Sequence, residues 1–261
     1  RASGIRCNRK LPRRAGQRDT ARRWNAGQSP FLPVLDDILQ NVPVENQIPL
    51  GQVEIPLELL VGTKTSGRTA AFASNFMPLL GLKTEFATKW INLCVSHVDE
   101  GIRDPITCYE YMGRFYVQEG NKRVSVLKYF DASSITGNVT RVVPQYSDDP
   151  AVQMYYEFMH FYPVMQNYLL TFTKPGSYAR LQKILGKAPD EKWTGEDRTE
   201  VLSLVQLGQE GVSGPRRRTA AVYRRRRAAA SAARLHQGGA GQFKPQRAER
   251  KARRPVGRCA G

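Results

Sequence analysis

From Tyr116 to Lys128 the chain reads Tyr-Val-Gln-Glu-Gly-Asn-Lys-Arg-Val-Ser-Val-Leu-Lys, a run rich in β-formers that meets a glycine and changes at once to helical spacing. At such a junction the first N–H groups of the helix lack intrahelical acceptors, and the helix dipole adds partial positive charge. The turn Glu119-Gly120-Asn121-Lys122-Arg123 is therefore a candidate anion site. Lys122 and Arg123 add formal charge, and the Arg fork can meet two phosphate oxygens at once. Glu119 can hold Arg123 in place or help bind a metal beside a phosphate. A second loop, Gly62-Thr63-Lys64-Thr65-Ser66-Gly67-Arg68, offers Lys64 and Arg68 as further phosphate contacts. It fails the P-loop spacing, because Arg rather than a Lys-hydroxyl pair follows its second glycine. The residues alone also fit a plain reading of the Gly120 turn, with glycine there for the backbone and basic residues for solubility.

Other chemistry is sparse. His97 and His160 have no His or carboxylate at ligand spacing and read as packed or surface side chains. No catalytic triad or paired-carboxylate arrangement is readable, and catalytic residues are not assigned. The aromatic set Tyr155, Tyr156, Phe158, Phe161 and Tyr162 is spaced for a helix and reads as core or interface before base-stacking surface.

The elements that must position the turn follow from periodicity. Phe31–Leu39 predicts a short helix after a proline, and Val53–Leu57 an edge strand, since it alternates and contains Pro56. Thr69–Leu80 has helical spacing. A second helix starts at the N-cap candidate Thr84, presents Phe86, Trp90, Leu93 and His97, and stops at Gly101. Ile106–Tyr111 and Arg114–Gln118 flank Met112-Gly113 and predict a hairpin. After Gly120 comes a helix with Val124 and Leu127 inward, then a strand at Val139–Pro144, an aromatic helix at Ala151–Tyr162 and a last helix at Ser177–Leu185. The fold class expected is α+β, a small mixed sheet with flanking helices.

Charge divides the chain. The formal net charge of +17 would point to a polyanion partner, but the excess lies at the ends. Residues 1–30 carry nine basic and one acidic side chain, and residues 201–261 fifteen basic and two acidic, whereas residues 31–200 carry sixteen basic and twenty acidic. The ends hold few large apolar residues and no sustained period, so disorder is expected there. The abrupt shifts in composition near residue 28 and between 198 and 215 favour frameshifted, mistranslated termini over a nucleic-acid arm or a solvated tail. The cysteines, Cys7, Cys94, Cys108 and Cys259, form no C-x-x-C pair, so neither a disulfide framework nor a zinc site is expected. With no apolar run of membrane-spanning length and no signal pattern, a cytoplasmic setting is expected.

Three segments in order resemble the ParB/sulfiredoxin superfamily. Val53–Leu60 with the loop ending in Arg68 is similar to its opening strand and loop; Gly101-Ile102-Arg103-Asp104-Pro105-Ile106 is similar to its helix-to-strand turn. Phe115–Arg123 with Val126-Leu127-Lys128 is similar to its strand, glycine turn and helix. Residues 62–198 also resemble an uncharacterised ParB-like region at the start of bacterial proteins labelled BMP-family solute-binding proteins. The resemblance implies a ParB/sulfiredoxin-like domain over 31–150 and a helical extension over 151–200, between a basic tail at 1–30 and an Arg-rich tail at 201–261.

It further implies a nucleotide- or phosphate-binding module of regulatory or DNA-associated role, with a nucleoside triphosphate and Mg2+ as the ligand pair. Its alternative is a non-catalytic interaction module of a solute-binding or sensor protein. Sulfiredoxins carry a reactive Cys directly after this glycine, where Asn121 stands here, so that chemistry is not expected. Asn121 and Lys122 also replace the middle pair of the ParB G-E-R-R turn, which puts nucleotide hydrolysis in doubt. DNA is kept as a partner although residues 151–200 show no helix-turn-helix, and a homodimer or a partner domain is left open.

Overall fold

Period-two runs and capped helical runs alternate through the middle of the chain, and the computed structural model, which describes residues 11–81 and 83–210, arranges them in one mixed sheet with helices around it. In order these are α1 (Leu11–Asn25), α2 (Leu35–Leu39), β1 (Val44–Pro56), β2 (Leu60–Thr63), α3 (Glu85–Asp99), β3 (Ile106–Tyr111), β4 (Arg114–Glu119), α4 (Asn121–Tyr129), β5 (Ser134–Pro144), α5 (Pro150–Met165), α6 (Ser177–Leu185) and α7 (Gly195–Glu210). The strand order is β1-β5-β3-β4-β2. β1 pairs antiparallel with β5 and β3 with β4, while β3 with β5 and β2 with β4 run parallel. The fold is α+β.

The β3 sequence Ile-Thr-Cys-Tyr-Glu-Tyr shows how the sheet is covered on both sides. Ile106, Cys108 and Glu110 are wholly buried on one face, while Tyr109 and Tyr111 on the other pack with Leu35, Tyr116 and Val142. Gly137 lies in the middle of β5, where a side chain would drive a Cβ to 2.6 Å from Ile55 Cδ1; close approach explains a strand-breaking residue there. Thr84 caps α3 by accepting from the Ala87 N–H at 3.2 Å. α3 then lays Trp90 and Cys94 against Val126 of α4. The Trp90 indole donates to Ser125 Oγ at 2.8 Å, so this buried polar group is satisfied. Three aromatic residues of α5, Tyr155, Phe158 and Phe161, are core, with Phe161 on Tyr178 and Trp193 and Phe158 on Tyr168, whereas Tyr156 packs on the exposed Tyr146.

The two sheet edges end differently. β1, an edge strand as Pro56 suggested, carries Pro49 and a register irregularity between Pro49 and Gly51. The other edge, β2, is short, and the Thr63 N–H donates to Pro33 O at 2.9 Å beside an isolated bridge between Val34 and Thr63.

Several expectations need correction. Thr69–Leu80 is not a helix: a 3-10 turn over Ser66–Ala71 leads into an irregular segment. Pro78 supplies no N–H, the Asn75 side chain accepts from Met77 N, and Phe76 adopts a φ of 65°. Phe72, Ala73, Phe76 and Met77 are buried all the same, so helical spacing here records burial in a loop. The helix expected from Phe31 starts only at Leu35, because Phe31 and Val34 make isolated bridges on either side of Pro33. β1 and β5 are longer than the alternation suggested, since they form a ribbon whose β1 side is mostly exposed.

Within residues 1–30, expected to be disordered, α1 is an ordered helix. It is held by polar contacts where no apolar stripe exists: Asp19, 8% exposed, accepts from Ser74 and Arg22, and Arg13 Nε donates to Leu79 O. The tail expected from residue 201 begins later, because helix α7 follows the helix expected to be last and runs to Glu210; the residues from 211 onward, with the Arg-rich stretch, lie outside the described residues. So do Cys7 and Cys259.

Candidate phosphate site at the start of α4

β4 ends at Glu119, Gly120 turns the chain and α4 begins at Asn121. Gly120 has a φ of 102°, and a Cβ there would lie 2.5 Å from Ile106 Cγ2, so both conformation and space demand glycine. No side chain caps α4, its first turn holds no acidic residue, and its first hydrogen bond runs from Val124 N to Gly120 O at 3.1 Å. The N-terminal amides of α4 thus face a cavity of about 290 Å³ whose other wall is apolar, formed by Phe72, Phe86 and Leu93.

All five residues of the predicted turn line that cavity. Their side chains do different things. Lys122 Nζ sits 4.9 Å from the centroid of the Phe86 ring. The carboxylate of Glu119 is 76% exposed and lies 3.6 Å from Arg123 Nη2. Arg123 was expected to contact phosphate directly, and its Nη1 instead donates to the carbonyls of Asp104 and Pro105. It fastens the turn before β3 to the first turn of α4 and thereby fixes one side of the cavity.

The sequence reading counted Asn121 only for its backbone N–H. Its side chain is 6% exposed, and its Oδ1 is buried without a hydrogen-bond partner. A buried acceptor left unsatisfied costs about 1–3 kcal/mol, a cost removed when a ligand donor arrives. An Asn in place of an apolar residue at the first position of a helix was the signal that could have marked it.

Lys64 is not part of this constellation. Its Nζ pairs with Asp36 and stands 4.9 Å above the ring of Tyr109, which points to the face of the sheet opposite Ile106. The Arg68 side chain lies outside the described residues. His160 is exposed, and His97 packs on the Phe130 ring. Cys94 and Cys108 are buried and form no disulfide, and burial with the nearby Glu110 pushes Cys108 up to about 12.

For a magnesium ion, the cavity offers the exposed Glu119 carboxylate, while the Asn121 Oδ1 is buried; so sparse a set fits only an ion carried in on ligand phosphates. Among the described residues no group of three or more His, Cys, Asp or Glu side chains is placed to hold a metal by itself. The same residues contain no helix long and apolar enough to cross a membrane. α6 and α7 are separated by residues 186–194, longer than the tight turn of a helix-turn-helix. No protein-family model matches this chain, and no curated protein matches it.

Proposed function

We propose that residues 31–150 form a binding module for a phosphate ester, a nucleotide in the first instance, with the phosphate at the start of α4 and a regulatory use. The observation that carries this is the uncapped start of α4, where Gly120, Asn121, Lys122 and Arg123 all line one cavity, beside an Asn121 Oδ1 that is buried without a hydrogen-bond partner. The amides and Lys122 would hold the anion, Arg123 would keep the cavity in shape, and Asn121 would accept from a hydroxyl or amino group of the same ligand. Magnesium, when bound, would neutralise phosphate charge beside Glu119. The resemblance to the ParB/sulfiredoxin superfamily supports a nucleoside triphosphate as the ligand to try first. It also supports a DNA-associated role.

The test is calorimetric titration of the 261-residue chain with CTP, ATP, GTP and inorganic phosphate, with and without magnesium, beside Asn121→Ala and Lys122→Gln. Saturable binding of a nucleotide, weakened about tenfold or more by either substitution, is expected. The Arg-rich ends can attract any polyanion, so binding that both variants leave unchanged counts against the α4 site.

A further inference from the structure

A second cavity, about 580 Å³, lies away from the α4 turn, between the β3–β4 turn, the first half of α5 and the segment Thr171–Tyr178. Four aromatic residues line it, Tyr155 and Phe158 from α5, then Phe172 and Tyr178, together with the apolar Met112 and Met154. The polar ends of these rings are committed elsewhere. Tyr155 donates to Glu110 at 2.8 Å, and Tyr178 donates to Leu170 O at 3.3 Å. The cavity therefore presents aromatic faces and edges, which favour a flat apolar ring system.

One carboxylate fixes two of the walls. Glu110, wholly buried, accepts from Gly113 N at 2.7 Å and from the Tyr155 hydroxyl, and is paired with Arg141. A buried ion pair adds little net stability over an apolar substitute, but this one sets the β3–β4 turn and α5 at a fixed separation, as a preformed site requires. At the rim stands Arg114, exposed and without a carboxylate partner among the described residues. The N-terminus of α5 does not compete for an anion, because Asp149 already accepts from Ala151 N.

We propose that this cavity binds a planar aromatic acid, its rings against Phe158, Phe172 and Tyr178 and its carboxylate on Arg114. The volume falls in the range of small-molecule sites, and Arg114, the one charged side chain among the described residues that line the cavity, sets the sign of the ligand.

The experiment measures binding of 2-naphthoate, its neutral carboxamide and cyclohexanecarboxylate to the full chain by calorimetry, beside Arg114→Gln and Ala151→Trp, with folding checked by circular dichroism. Saturable binding of 2-naphthoate is expected, weakened about tenfold by Arg114→Gln while the carboxamide changes by less than about threefold. Ala151→Trp, which fills the mouth, should remove both. No saturable binding by the folded chain, or affinities that neither substitution alters, overturns the proposal. Binding of cyclohexanecarboxylate as tightly as 2-naphthoate overturns the aromatic specificity.

Discussion

The hydroxyl of Tyr155 lies 2.8 Å from both carboxylate oxygens of Glu110, which is wholly buried. Arg141, 5% exposed, pairs with the same carboxylate, donates to Tyr168 and stands 5.0 Å from the Tyr162 ring centroid. Burial acts to lower the Arg141 pKa, but Glu110 and the neighbouring tyrosines outweigh it and hold the guanidinium above its ordinary value. Burial, reinforced by Glu110, pushes the Tyr155 hydroxyl well above the usual phenol range, so it remains a donor. Glu110→Ala should destabilise the chain by about 3–5 kcal/mol, since it strands a buried cation. Adding Arg141→Met should restore part of that loss. Urea midpoints of the single and double variants decide this, and a double variant no more stable than Glu110→Ala would refute it.

Lys128 provides a pH test. Its Nζ donates to Leu60 O at 3.0 Å beneath the Phe76 ring, and burial pushes its pKa down from 10.5 to about 8, with Glu58 opposing. Between those two values the unfolded chain binds more protons than the folded one, so this residue makes stability rise with pH across that window. Below about 8 the desolvation penalty is present in full. Lys128→Met loses the Leu60 hydrogen bond at every pH, so the slope is the diagnostic. The variant should gain on the wild type as pH falls from 10.5 to 8, read from urea midpoints, and a difference independent of pH would contradict the assignment.

Gly120→Ala places a Cβ 2.5 Å from Ile106 Cγ2 on a left-handed backbone. The expected cost is about 2–4 kcal/mol, from conformational strain and overpacking together. Gly113→Ala shares the positive φ, at 74°, but meets open space and should cost only about 1–2 kcal/mol. Equal losses in Tm for the two variants would mean that contact with Ile106 contributes nothing.

Trp90 and Ser125 form a pair suited to a double-mutant cycle. Ser125→Ala leaves the buried indole N–H without its acceptor, at a cost of about 1–3 kcal/mol. In a Trp90→Phe background the same substitution should cost less than about 1 kcal/mol, because no donor is left unpaired. Additive losses would exclude the hydrogen bond as a source of stability.

Where local signals agreed with packing, the sequence was readable. Thr84 as a cap, Met112-Gly113 as a hairpin turn and Gly120 as the junction of strand and helix each follow from a residue type at a fixed offset, and each stands where expected. Other positions depend on partners distant in the chain. Gly137 and Asn138 look like strand breakers until Ile55 and Ile106 are seen crowding the backbone. The exposed first half of β1 shows no alternation because neither face there is buried. α1 depends on Asp19 meeting Ser74, fifty-five positions along the chain. At the α4 turn the spacing located the residues, but not that Arg123 would turn to main-chain carbonyls or that Asn121 would be buried. The period of β3 does place Glu110 on the face of Ile106 and Cys108, a clue to the buried ion pair that only Arg141 makes intelligible.

The two ends of the sheet bear on how copies of this protein meet. A strand arriving alongside β1 would encounter Pro49, which cannot donate, and a break in register one residue later. One arriving alongside β2 would find the Thr63 amide already bonded to Pro33. Among the described residues, then, each border of the sheet is interrupted, which works against growth of a continuous ladder by strand addition at either edge.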